Sequence, residues 1–167
     1  MTYNMRKTLA GTGFLLLVLA PCVFAADPAV NLAATILTPD VATRIFGGPA
    51  EASKANSEAD MKSGAAVVSR CSYSIKNEAG TATNISLLLR RAATLDEGKA
   101  IFLASKLTHH DEEISDLGDA AYRTAAPAQL NVLKGKNWLI ISAGAFPKPD
   151  PILQEKAARE ILKNVQD

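Results

Sequence analysis

Apolar and polar positions alternate with period two from Val67 to Lys76: Cys71, Tyr73 and Ile75 fall on one side, Ser72, Ser74 and Lys76 on the other. Successive side chains of an extended chain point to opposite faces, so this period predicts a half-buried β-strand. Beyond the turn-like Asn77-Glu78-Ala79-Gly80, Thr83 to Arg91 repeats the alternation with Ile85, Leu87 and Leu89 on one face. Two such runs across a four-residue loop predict a hairpin. A second hairpin is expected where Gln129 to Leu133 and Asn137 to Ala143 flank Lys134-Gly135-Lys136, whose glycine can take the positive φ of a tight turn. Between them, Ile114 to Arg123 reads as a turn entering a short strand.

Three stretches change to a period near 3.6. Leu37 to Gly48 carries Val41, Ala42, Ile45 and Phe46 on one side, with Thr38 placed to cap, Pro39 at the first helical position and Gly47 or Gly48 to stop. Thr94-Leu95-Asp96-Glu97 has capping-box spacing, and the helix it opens runs to about Thr108. There Ala100, Leu103, Ala104 and Leu107 form an i, i+3, i+4, i+7 stripe, widened by Ile101 and Phe102, and one face is expected to lie on the sheet. Asp150-Pro151 begins a last helix, with Leu153, Ala157, Ile161, Leu162 and Val165 inward. Residues 49–64 are polar and read as a surface excursion with at most one edge strand. Hairpins without a βαβ rhythm predict an α+β domain: an antiparallel sheet of five or six strands packed by about three helices.

The first 25 residues are set apart by their own pattern. Arg6 and Lys7 precede an apolar run, Phe14 to Ala20, and Val23-Phe24-Ala25 places small side chains where a signal peptidase cuts. Residues 1–25 are therefore read as a signal peptide, 26–36 as a leader and 37–167 as one domain, periplasmic or secreted. The run falls short of the ~20 residues a membrane-spanning helix needs. Lipidation at Cys22 is the rival, against which Pro21 counts, because its fixed φ and missing N–H suit an extended protease substrate poorly. The full chain of 167 residues carries 18 basic and 17 acidic side chains. Without Arg6 and Lys7 its charge moves from +1 to −1, which leaves no basic surplus for nucleic acid. Once Cys22 has gone, Cys71 is the one thiol, read as a small buried hydrophobe; a reactive thiol or a bridge between two copies is the alternative.

In the order of its elements, with Cys71-Ser72-Tyr73 on a strand, Leu117-Gly118-Asp119-Ala120-Ala121-Tyr122 entering a late strand and Ala157 to Leu162 in the closing helix, the chain resembles small exported lipoproteins of actinobacteria. It is similar also to the extracytoplasmic sensor domains of certain membrane serine/threonine kinases. The resemblance implies a PsbP-like layered α/β/α sandwich and families that mostly have no assigned enzyme activity. The chain departs from these families at Pro21, and it lacks the partner cysteine with which many members form a disulfide.

Candidate chemistry is sparse. His109-His110-Asp111-Glu112-Glu113 is the densest group of ligating side chains, and His109, His110 and Asp111 are the alternative metal or acid/base set. Adjacent histidines on a helix point apart, however, so a helix end followed by a solvated acidic loop explains the run. Asp116 and Asp119 read as turn formers. Arg90-Arg91 and the Lys134/Lys136 tip offer an anion or a partner's carboxylate a charge, with a charged sheet edge as the plainer alternative. Cys-His catalysis, a GxSxG elbow and a phosphate-binding loop find no support, and no cofactor is called for. The expectation is an exported, non-enzymatic binding or interaction module. Arg90, Tyr122 and Trp138 would be its ligand-binding residues, with a place in the core as the other reading of Trp138, and its partner a small ligand, a cell-wall component or another exported protein. A small periplasmic hydrolase or metal-dependent enzyme built on His109 and His110 is the alternative.

Overall fold

The computed structural model describes residues 30–109, 112–145 and 147–166. The segment read as a signal peptide, with Cys22, lies outside these residues, as do His110 and Asp111. Four α-helices accompany one antiparallel sheet: α1 (Leu32–Ile36), α2 (Pro39–Phe46), α3 (Leu95–His109) and α4 (Pro151–Leu162). The strands are β1 (Glu51–Ala52), β2 (Met61–Ser63), β3 (Ala66–Lys76), β4 (Ala82–Arg91), β5 (Glu112–Ile114), β6 (Ala120–Ala125), β7 (Ala128–Lys134), β8 (Asn137–Ala145) and β9 (Lys148–Pro149). Their order is β1-β3-β4-β8-β7-β6-β5, with β2 also on β3 and β9 on β8.

The chain is thus α+β, as expected, but the sheet has nine strands among the described residues rather than five or six. The additions are β1, β2, β5 and β9, of two or three residues each, too short for alternation to register. Two of them, β1 and β2, lie in the polar stretch that was expected to hold one edge strand at most. Within the stretch read as a leader, residues 30–36 pack on the domain: Asn31 caps α1 by accepting from the Ala34 N–H at 2.9 Å, and Ala33 and Ile36 are buried.

Caps stand where the pattern put them. Thr38 accepts from Val41 N–H and Asp150 from Leu153 N–H, each followed by proline at the first helical position. At α3 the Thr94 hydroxyl accepts from Glu97 N–H at 3.2 Å while the Glu97 carboxylate accepts from Ala93 N–H at 3.0 Å.

The sheet has two unlike faces. On one, Cys71, Tyr73, Ile85, Leu87, Leu89, Leu130, Val132, Leu139 and Ile141 pack under α1, α2 and α4 in a single apolar core. Arg44–Glu160 ties α2 to α4 at 3.0 Å, and Arg123 reaches Glu155 of α4 at 2.7 Å. On the other, α3 covers a smaller cluster of Phe102, Tyr122, Leu133 and Trp138.

The buried side of α3 is not the expected one. Gly98 and Phe102 turn inward with Ile101 beside them, while Ala100, Leu103, Ala104 and Leu107 face solvent, Leu107 at 80% exposure. Gly98 explains the choice: a Cβ there would lie 3.1 Å from the Lys136 Cα, so a glycine lets α3 settle onto the β7–β8 hairpin tip.

Parts of both sheet rims are occupied or charged. On the outer side of β3, the Asn31 amide nitrogen lies 2.9 Å from the Arg70 carbonyl, and Ser72 N–H donates to the Asn56 side chain at 2.8 Å. On β5, Glu112 and Glu113 are tied to Arg123 and Lys106. No helix of the described residues is long and apolar enough to cross a membrane.

Candidate binding groove

β4 runs through the interior of the sheet, between β3 and β8, yet only one of its faces is sealed. Ile85, Leu87 and Leu89 are buried under the helices, whereas Asn84 and Ser86 are exposed on the opposite side, where α3 does not reach. Register aligns a row of short polar side chains across five strands: Ser72, Ser86, Ser142, Gln129 and Thr124. Gln129 donates to the Ser142 hydroxyl at 3.2 Å, and Thr124 accepts from Gln129 N–H at 3.1 Å. The Ser86 hydroxyl and the Asn84 carboxamide have no hydrogen-bond partner among the described residues. At a strand spacing of ~4.8 Å these groups form a regular, uncharged platform.

The platform becomes a groove at its lower end. Asn84, Ser86, Ser142 and Gly144 form the floor of a cavity of about 380 Å³. Pro127 and Ala128, at the β6–β7 turn, line it together with Pro147, Lys148 and Pro149 of the β8–β9 return. Gly144 makes the return possible. Its φ is 128°, and a Cβ would fall 2.6 Å from the Lys148 carbonyl oxygen and 2.7 Å from the Asp150 nitrogen. Only glycine allows β9 to fold back so closely. The lining combines apolar pyrrolidine walls with a few hydrogen-bonding groups, and its volume lies in the roughly 300–1,000 Å³ range of small-molecule sites. Among the described residues, Lys148 is its one charged member.

The residues expected to bind a ligand share this face but lie outside the groove. Tyr122 is fully buried under α3; its ring centroid is 5.0 Å from that of Phe102, and its hydroxyl donates to Ser105 at 2.8 Å. Trp138 sits beside the same phenylalanine, centroids 6.2 Å apart, and its indole N–H donates to the Asn131 side chain at 3.0 Å. Arg90 faces Trp138 across the β4–β8 ladder, with its Nε buried and without a partner. The aromatic pair therefore serves α3 docking. Arg90 and Arg91 are also not a charged sheet edge, because β4 has a neighbour on each side.

The remaining candidates stay apart. His109 is exposed at the end of α3 and does not line the groove. No group of three metal-ligating side chains occurs among the described residues. Asp116 adopts φ 59°, and Asp119 accepts from Gly135 N–H at 2.6 Å, clasping the β7–β8 turn, so both act in turns. Cys71 is 1% exposed, and its thiol donates to the Leu37 carbonyl at 3.4 Å. Burial pushes that thiol up to about 12, leaving it protonated and out of reach of another chain.

The groove was hard to find in the sequence because its floor comes from polar positions that alternation assigns to solvent. Its walls come from two turns 20 residues apart. The three prolines Pro127, Pro147 and Pro149 were the available signal. Comparison with protein-family models, with curated proteins and with solved structures gave no match.

Proposed function

We propose that the chain is an exported, non-enzymatic binding module that holds a neutral, hydroxyl-bearing ligand, a saccharide unit of a cell-wall glycan, in the groove over β4 and β8. The single observation that carries this reading is an interior strand left open on one face, with Asn84 and Ser86 unpartnered between proline walls. A hydroxyl side chain both donates and accepts, as a sugar hydroxyl does, and the pyrrolidine rings match the apolar C–H face of a pyranose. Apart from Lys148, the lining is uncharged among the described residues, which suits a neutral ligand. Cleavage after Ala25 and a PsbP-like layering of α1, α2 and α4 against α3 belong to the same proposal.

Titration of the ¹⁵N-labelled protein with an N-acetylglucosamine tetrasaccharide tests it. The reading expects saturable shifts at the Ser86, Ser142 and Gly144 amides, lost in Ser86→Trp, where the indole fills the floor. Shifts elsewhere, or none at millimolar sugar, would overturn it.

A further inference from the structure

The groove occupies β4 and β8, but the short polar side chains that floor it continue onto β3. Residues two apart on a strand share a face, so cross-strand register sorts this open face into rows. One row is Ser72, Ser86 and Ser142; the next is Ser74, Asn84 and Gly144. The row on the side toward α3 is Arg70, Leu88 and Ile140, whose side chains are longer. Two rows of short residues beside a taller one make a trench that runs across the strands, and β3 forms its outer part. Like Ser86 and Asn84, the Ser72 and Ser74 hydroxyls have no hydrogen-bond partner among the described residues.

The two ends of the trench differ. Beyond β8, Pro149 lies opposite Gly144, Gln129 donates to the Ser142 hydroxyl at 3.2 Å and Pro127 lines the cavity, so that end is closed. Beyond Ser74 comes the two-residue β1, both of whose residues are exposed. A ligand that outgrows the cavity along the trench therefore extends toward β3. Spacing favours that direction as well. Neighbouring strands lie ~4.8 Å apart, close to the advance of one pyranose ring along a linear 1,4-linked glycan, whereas positions on one face of a strand repeat at ~6.8 Å. A match of one ring to one set of side chains exists only across the strands.

We infer that the groove is the closed end of an extended site, and that its ligand is a linear oligosaccharide lying across β8, β4 and β3 with one ring over each strand. Ser142 faces the first ring, Asn84 and Ser86 the second, Ser72 and Ser74 the third. The inference rests on the saccharide reading of the groove and adds to it the length and direction of the ligand.

A length series tests it, using N-acetylglucosamine and its β-1,4-linked disaccharide and trisaccharide, with affinities read from the Ser86 and Gly144 amide shifts. Each added ring should strengthen binding about threefold to tenfold, as one net hydrogen bond implies. Ser74→Leu, which fills the outer part of the trench, should bring the trisaccharide down to the affinity of the disaccharide and leave the two shorter sugars unchanged. Ser72→Leu gives the same comparison if the first variant fails to fold, and the wild-type series stands without either. Equal affinity at all lengths, or a trisaccharide advantage that survives in the folded variants, would overturn the inference and leave the groove reading standing. No saturable binding of any of the three sugars would overturn both.

Discussion

The two faces of β4 are separated by one side-chain step and belong to different physical regimes. Leu87 is fully buried in the helix-covered core; Ser86, its neighbour, looks onto open groove. Across the sheet, one face is a continuous apolar core and the other is divided between an aromatic patch under α3 and a polar platform. Stability is concentrated on the first face and in the aromatic patch under α3, whereas substitutions on the polar platform should disturb little of what holds the fold together.

The largest test of this contrast is Leu87→Ala, expected to cost about 4 kcal/mol in urea unfolding, within the range for removing a buried leucine. Ser86→Ala beside it should stay within about 0.5 kcal/mol. Equal losses at the two positions would erase the distinction. Phe102→Ala should cost about 3 kcal/mol, because it empties the centre of the patch through which α3 docks. In the wild type, α3 amides should exchange faster than those of β4 and β8, since so few of its side chains are buried.

A pH series probes the first face alone. The Cys71 thiol is held near 12 against an ordinary value of 9.0, so between these values the folded protein keeps a proton that the unfolded chain releases. The Cys71 contribution should be constant below pH 9 and should fall as pH rises toward 12, by up to about 1.4 kcal/mol per unit. Cys71→Ala should lessen that slope and leave the part due to Tyr73, whose phenol burial raises above its ordinary 10.0. The smallest effect belongs to Leu107→Ser, expected within about 0.5 kcal/mol because the side chain is already 80% exposed.

Much of the helix-covered face was legible in the sequence. Alternation in β3 and β4, and the caps at Thr38, Thr94 and Asp150, are local signals that burial and backbone hydrogen bonding impose on nearby residues. What failed was non-local. α3 carries apolar residues on both of its sides, and the choice between Phe102 and Leu103 was made by Gly98 meeting the Lys136 backbone, a contact between segments far apart in the chain. Gln154, placed by helical spacing on α4, is fully buried because its amide donates to the Ala128 carbonyl at 3.0 Å, a partner that no spacing reveals. The groove was missed for a related reason. An exposed serine on a strand has the same sequence signature whether it faces bulk water or a walled cavity, and only the positions of Pro127 and Pro147–Pro149 distinguish the two.

The asparagine side chains along the rim of β3 have a colloidal consequence. Asn31 and Asn56 occupy backbone groups that another molecule's strand would otherwise seize, and the opposite rim presents the carboxylates of Glu112 and Glu113. A broad sheet of this kind would readily seed cross-β fibres if either rim were bare. With part of one rim occupied and the other charged, a second copy's strand finds less to pair with.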